Sequence, residues 1–111
     1  MVKKDYIPDR GDIVYITFDP VRGHEQAGRR PALVISPVFY NAKSRLALMC
    51  PITSVTKGYT FEIPITGHIS GVVLVDQIRN IDWSVRKVRF IERVSFDKLS
   101  QVQSIILRLI E

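Results

Sequence analysis

Short runs of β-branched and aromatic residues alternate with turn signals along most of this chain. Gly11-Asp12 reads as a turn, and Ile13-Val14-Tyr15-Ile16-Thr17-Phe18 after it as a first strand. Asp19-Pro20 ends that strand. A second strand covers residues 32–35 and is closed by Ser36-Pro37; residues 39–42 then form a short helical turn or loop. A third strand covers residues 45–50. Pro51 has no amide proton, so it predicts an edge position or a bulge, with Ile52-Thr53-Ser54 continuing beyond it. Lys57-Gly58 is another turn. Residues 59–63 alternate and predict a half-buried strand, whereas the unbroken apolar run 71–75 predicts a central one. Charge and apolarity alternate over residues 85–94, with Val88 and Phe90 on one face and Lys87 and Arg89 on the other.

The period then changes. Leu99, Val102, Ile106 and Leu109 recur at three and four residues, the spacing of an amphipathic helix. Ser95 suits its N-cap, and Asp97 suits the positive end of the helix dipole. Six short strands and a terminal helix, without βαβ alternation, predict a mainly β fold. The expected architecture is a small antiparallel barrel or curled sheet with a helix against it, in one domain spanning residues 1–111. A chain of 111 residues buries about 65% of its unfolded surface, enough for an independent core.

Composition adds exclusions. With 46% hydrophobic and 24% charged residues, the chain is neither disordered nor a fibrous repeat. Its single cysteine, Cys50, lies in the apolar run Leu46-Ala47-Leu48-Met49-Cys50 and reads as a small buried hydrophobe. The lack of a disulfide framework fits the cytoplasm. Lys3 and Lys4 are followed by Asp5 and not by an apolar stretch, so no signal peptide is expected, and no run approaches membrane-spanning length. The net charge of +5 is compatible with a nucleic-acid partner and equally with a bland basic surface.

The candidate chemistry concentrates in Gly23-His24-Glu25-Gln26-Ala27-Gly28-Arg29-Arg30-Pro31. A loop this long and polar between two strands is usually functional or disordered. Arg30 precedes a proline, which biases its backbone toward an extended form. Its guanidinium suits bidentate contact with a phosphate, and Glu25 could orient it or accept a proton. The alternative is a surface ion pair with solvated arginines. Thr53 could donate to a phosphoryl oxygen if its strand end lies beside the loop; otherwise it is a β-former only. His24 and His68 have no cysteine partner, so a zinc site is not expected, and no cofactor is. A two-histidine ribonuclease would require those two residues to meet in space.

Gly11-Asp12, Phe18-Asp19-Pro20 and Gly23-x-Glu25-Gln26-x-Gly28-x-Arg30-Pro31-Ala32-Leu33-Val34 together resemble the MazF/PemK family of bacterial toxin endoribonucleases. The likeness continues in Pro51-x-Thr53, Lys57-Gly58 and Gly71-x-x-Leu74-Val75-Asp76-Gln77-Ile78-Arg79. It implies an SH3-like (CcdB/PemK-like) barrel with a C-terminal helix, acting as a homodimer. It implies metal-free cleavage of single-stranded mRNA at short motifs, with Arg30 and Thr53 as the catalytic pair and Glu25 supporting them. Gln77 and Arg79 match a strand-end motif near the site.

Such a reaction uses the 2′-hydroxyl as nucleophile and leaves a 2′,3′-cyclic phosphate and a 5′-hydroxyl. The resemblance gives the arginine an acid or base role. A guanidinium is a poor base near neutrality, so chemistry favours Glu25 as base and Arg30 as clamp and acid, with His24 as a further alternative base. Gln26, Arg29, Lys57, Arg79 and Arg86 are candidate RNA contacts, along with Gln77. Lys87 and Arg89 fit either RNA contact or a solvated strand face. Phe39 and Tyr40 fit core packing better than base stacking.

The resemblance also implies a cognate antitoxin with an acidic, partly disordered tail over the RNA groove, and operator DNA as a partner of the toxin–antitoxin complex. A related barrel toxin that poisons gyrase is the rival. There a Trp-Gly-Ile ending on the terminal helix carries the contact, whereas this chain ends Leu109-Ile110-Glu111 and has Trp83 as its only tryptophan.

Overall fold

The computed structural model describes residues 5–17 and 29–111. Phe18, Asp19-Pro20, His24, Glu25 and Gln26 lie outside the described residues. The elements are β1 (Asp12–Thr17), β2 (Arg29–Val34), α1 (Val38–Ser44), β3 (Leu46–Thr53), β4 (Glu62–Ile65), β5 (Gly71–Leu74), β6 (Arg79–Asp82), β7 (Arg89–Arg93) and α2 (Phe96–Ile110). All strand pairs are antiparallel, in the order β4-β5-β3-β2-β1-β7, with β6 also on β3. The sheet curls into a half-barrel with the C-terminal helix against it, the mainly β architecture that the pattern predicts.

β3 is the hub. One edge pairs with β2, and the other carries two partners in succession. β6 pairs with Leu46 through Met49, and β5 with Ile52 and Thr53. Pro51 falls between those two partners while pairing with Ala32 on the β2 side. It is therefore buried in a central strand, not at an edge. A residue without an amide proton is tolerated at the point where the ladder on one side changes partner.

Both faces of the sheet are covered, which is why its strands read as continuous apolar runs. One face packs Ile13, Leu33, Cys50, Ile52 and Val73 against Val102 of α2. The other packs Val14, Ile16, Val34 and Met49 against Ile81 and Trp83. Successive residues of β1 and β2 thus enter different cores, as the two-residue period of a strand requires.

α2 starts as expected: the Ser95 side chain accepts a hydrogen bond from the Lys98 amide at 3.2 Å, and Asp97 sits in the first turn. Val102 is fully buried, and Leu99, Ile105 and Ile106 pack partly against the same core. Burying the Val102 side chain is worth about 1.5 kcal/mol or more. Leu109 completes the predicted stripe but is exposed.

α1 is a full helix over residues 38–44, not a turn. It is built around Asn41, whose side chain is completely buried. Its amide donates to the carbonyls of Pro8 and Ser36 at 2.7 and 2.9 Å, and its Oδ1 accepts from the Ser36 hydroxyl at 2.6 Å. The Asn41 carbonyl accepts from the Trp83 indole at 3.0 Å. One polar residue thereby ties the N-terminal segment, α1 and the Trp83 turn together.

Three strand expectations need correction. Among the described residues the sheet has seven strands, not six. β6 was hidden because only Ile81 of its four residues is buried. The strand expected over residues 59–63 is instead Glu62–Ile65, because Glu62 folds the preceding segment back as a loop. The alternation over residues 85–94 yields only Arg89–Arg93, since Asp82 caps a tight turn over Trp83–Val85.

Candidate active site

The antiparallel register sets Ala32 opposite Pro51. Arg30 lies two residues before Ala32 on β2, and Thr53, the last residue of β3, lies two residues after Pro51. The alternation of side chains puts both on one face of the sheet. Arg30 and Thr53 line one cleft of about 400 Å³, together with Ser54, His68 and Ser70. The Thr53 Oγ1 accepts a hydrogen bond from the Val55 amide at 3.2 Å. A hydroxyl that accepts on one side keeps its own proton to donate elsewhere. The cleft thus offers a guanidinium and hydroxyls, the donor set for a phosphodiester.

The cleft wall is fixed by close backbone approach. A Cβ built on Gly71 would lie 2.3 Å from the Thr53 carbonyl oxygen, and Gly71 itself has φ +154°. Gly71→Ala must therefore push β5 away from Thr53. We expect a stability loss of about 2 kcal/mol together with reduced cleavage. An unchanged melting temperature and rate in that variant would show that the cleft tolerates such a displacement.

The remaining predicted contacts distribute differently. Arg29 turns to the opposite face, where its guanidinium lies 5.6 Å from the Tyr15 ring centroid. Arg89, paired with Tyr15 across β1 and β7, approaches the same ring at 6.0 Å. Adjacent arginines at the start of β2 thus serve separate surfaces. Lys57, Gln77, Arg79 and Arg86 are not among the residues that line the Arg30–Thr53 cleft. Gln77 is exposed on the turn after β5, and Arg79 opens β6 opposite Met49. Arg86 is half-buried, donating to the Asp82 carbonyl at 2.7 Å. Lys87 is exposed. Phe39 is 75% exposed, against the expectation of core packing: it lies on the outer side of α1, whose inward position is taken by Asn41. Tyr40 is half-buried, and its hydroxyl accepts from the Asn80 amide at 3.0 Å.

Lys57 sits in a loop gathered around Glu62. That carboxylate accepts from the Thr56 hydroxyl at 2.9 Å and from the Lys57 and Gly58 amides at 3.2 and 3.1 Å. Partial desolvation alone would raise its pKa, but the combined donors hold it below the usual carboxylate range. A depressed folded-state value means that the clasp is fully formed above the unfolded value of about 4.3 and is lost as pH falls through the folded one. The Lys57 and Gly58 amide resonances should therefore titrate below about pH 4.3 in wild type and not in Glu62→Gln.

Cys50 behaves as a core residue. Burial first, and the Asp76 charge second, push its thiol up to about 12, so it is no nucleophile near neutrality. Among the described residues, no three His, Cys, Asp or Glu side chains converge to hold a metal ion. No described helix is long and apolar enough to cross a membrane. His68, weighed from sequence only as a metal ligand or as half of a histidine pair, lines the cleft without a second histidine among the described residues. Its signal is the glycine-bracketed turn Gly67-His68-Ile69-Ser70-Gly71 beside the strand end that carries Thr53.

Comparison with known proteins agrees with the fold. Residues 9–110 match the family described as PemK-like, MazF-like toxin of type II toxin–antitoxin system. The endoribonuclease toxin MazF of Escherichia coli (strain K12) is 48% identical over 82 residues, covering 73% of this chain and 74% of that protein. The crystal structure of MazF (Form-I) from Deinococcus radiodurans matches with a TM-score of 0.85 at 45% identity, over 95% of this chain and 97% of that one. The MazE–MazF complex (Form-II) from the same organism matches with a TM-score of 0.83 at 40% identity, over 95% and 96%. A shared fold with this identity across nearly the whole chain decides the classification: the chain belongs to the PemK-like, MazF-like toxin family of type II toxin–antitoxin systems.

Proposed function

We propose that this endoribonuclease toxin cuts single-stranded RNA by attack of the 2′-hydroxyl on the adjacent phosphorus, without a metal ion. The observation that carries this is the meeting of Arg30 and Thr53 in one cleft, although they lie on different strands. The guanidinium fork holds two phosphoryl oxygens, and the Thr53 hydroxyl donates to the charge that develops on the phosphorane. Glu25, four residues before the start of β2 in sequence, takes the 2′-hydroxyl proton in this reading. DNA lacks the nucleophile and is not cut. Gln26, Lys57, Gln77, Arg79 and the exposed Arg29 are the proposed contacts along the strand, with Arg86 a weaker candidate given its engagement with Asp82. Gyrase poisoning finds no support in relatives that are named endoribonucleases.

The partner readings follow the same pattern. The MazE–MazF complexes support a cognate antitoxin for this chain. An acidic segment that orders on a basic surface is the chemistry proposed for it. A homodimer, and operator DNA bound by the toxin–antitoxin complex, complete the proposal.

The test is cleavage in EDTA of a mixed-sequence single-stranded RNA beside the matching DNA, with mapping of the product ends. Cuts in RNA alone, leaving a 2′,3′-cyclic phosphate and a 5′-hydroxyl, are expected and would reveal the recognised motif. No cleavage by a folded, antitoxin-free preparation, or 5′-phosphate ends, would overturn the mechanism.

A further inference from the structure

Side chains alternate along a strand, so Arg29 and Arg30, the first two residues of β2, lie on opposite faces of the sheet. Arg30 lines the cleft with Thr53. Arg29 shares its face with Leu33, part of the core that α2 covers through Val102. On β1 the same face carries Ile13, inside that core, and then Tyr15, which is half-buried and outside it. At Tyr15 the face passes from packed core to surface.

Two cations converge at that margin. The Arg29 guanidinium lies 5.6 Å from the Tyr15 ring centroid. Arg89, paired with Tyr15 across β1 and β7, lies 6.0 Å from the same centroid. Both arginines are exposed. The electron-rich ring attracts each cation, but it does not remove the repulsion between the two. Among the described residues the ion pair is Arg93–Asp12, and no carboxylate pairs with Arg29 or Arg89. Tyr15 thus gathers two positive charges that no described anion offsets. A ligand that meets them finds two long side chains already ordered, which lowers the entropy cost of binding.

We propose that Arg29 and Arg89, held by Tyr15, form a second phosphate site for the RNA, away from the scissile linkage. The proposal rests on the reading above that RNA is the substrate. Because Arg29 adjoins Arg30 in the chain, an RNA held by Arg30 reaches this platform across the start of β2. The guanidiniums donate to phosphodiester oxygens and offer flat surfaces to a neighbouring base. Tyr15 is a positioning residue, which fixes both cations and need not touch the RNA. Phosphate contacts carry no sequence information, so the platform sets how firmly a longer RNA is gripped and not which motif is cut.

The test uses the full chain and a short RNA carrying the motif that wild type cuts, with a 2′-methoxy group at the scissile nucleotide so that it binds without being cleaved. Affinity is measured as a function of salt. Arg89→Gln should weaken binding about 5- to 10-fold at about 0.1 M salt and reduce the slope of log affinity against log salt by about 0.7, the share of one phosphate on a single strand. Tyr15→Leu keeps both arginines and should weaken binding by about 3-fold or more, whereas Tyr15→Phe keeps the ring and should bind as wild type does. With cleavable RNA the Arg89→Gln loss should appear in KM, with kcat within about 2-fold. Trimming the RNA from each end should reach a length that wild type and Arg89→Gln bind equally. Unchanged affinity and slope in Arg89→Gln would overturn the proposal, as would a penalty that persists at every length wild type binds. Unchanged RNA binding with weaker binding of a polyglutamate peptide would assign the platform to an acidic protein partner and overturn it too. Wild-type protein that neither binds nor cuts RNA would instead remove the RNA reading itself.

Discussion

Arg30→Ala should slow RNA cleavage by about 10²- to 10³-fold or more, equivalent to about 3–4 kcal/mol of lost transition-state stabilisation. The expectation follows from position. Arg30 is exposed at the second residue of β2, outside both cores, so its removal disturbs no packing. Its melting temperature should stay within about 2 °C of wild type, as for surface changes in general. Arg30 shares with Thr53 a cleft that contains no other Lys or Arg among its described lining residues. Arg30→Lys should recover only part of the rate, because a point charge cannot grip two phosphoryl oxygens at once. Thr53→Ala should fall by a smaller factor, since a neutral donor is lost. Glu25→Gln separates the base from the clamp. Full cleavage by that variant would remove Glu25 as base and leave the phosphate site standing. Full cleavage by a verified Arg30→Ala preparation would sink the phosphate site itself.

The largest stability effect is expected at Asn41. Leucine there keeps the same branched skeleton and is no smaller, so the cost is not a cavity. It leaves the Pro8 and Ser36 carbonyls and the Ser36 hydroxyl without their partner in a site sealed from water. Each such loss costs about 1–3 kcal/mol before relaxation, and we expect a total near 3 kcal/mol. For a chain of this size, that lowers the melting temperature by about 10–15 °C. Chemical denaturation should report the same loss as a lower midpoint. Because Asn41 does not line the Arg30–Thr53 cleft, cleavage by Asn41→Leu at low temperature should stay close to wild type. A shift below about 3 °C would mean that the orphaned groups find other partners by relaxation of α1.

The comparison between pattern and structure divides along one line. The strand cores around Ile13–Ile16 and Leu33–Val34, and the helix from Ser95, were legible because each expresses itself within a few residues. A buried strand needs consecutive apolar side chains, and a packed helix needs them every third or fourth position. The family motif was legible for a related reason: Glu25, Arg30 and Thr53 are written at recognisable spacings. Local pattern failed where a neighbour outside the segment set the geometry. β6 is a strand because Leu46 through Met49 offer it a ladder, although its own residues are mostly polar. Residues 59–61 leave the expected strand because the Glu62 carboxylate collects donors from the loop before it. Pro51 is tolerated in a central strand because β3 changes partners there.

By itself, then, the sequence determined the fold class, the apolar strands around Ile13–Ile16 and Leu33–Val34, the terminal helix and the chemical types available for phosphate contact. Only the tertiary structure decided which of those types share a site. It brought Arg30 to Thr53, sent Arg29 to Tyr15 on the other face, and put His68 into the cleft. The reason is that burial and periodicity act over neighbouring residues. A cleft, by contrast, is made by strand register and by backbones that touch across the sheet, as Gly71 does at Thr53.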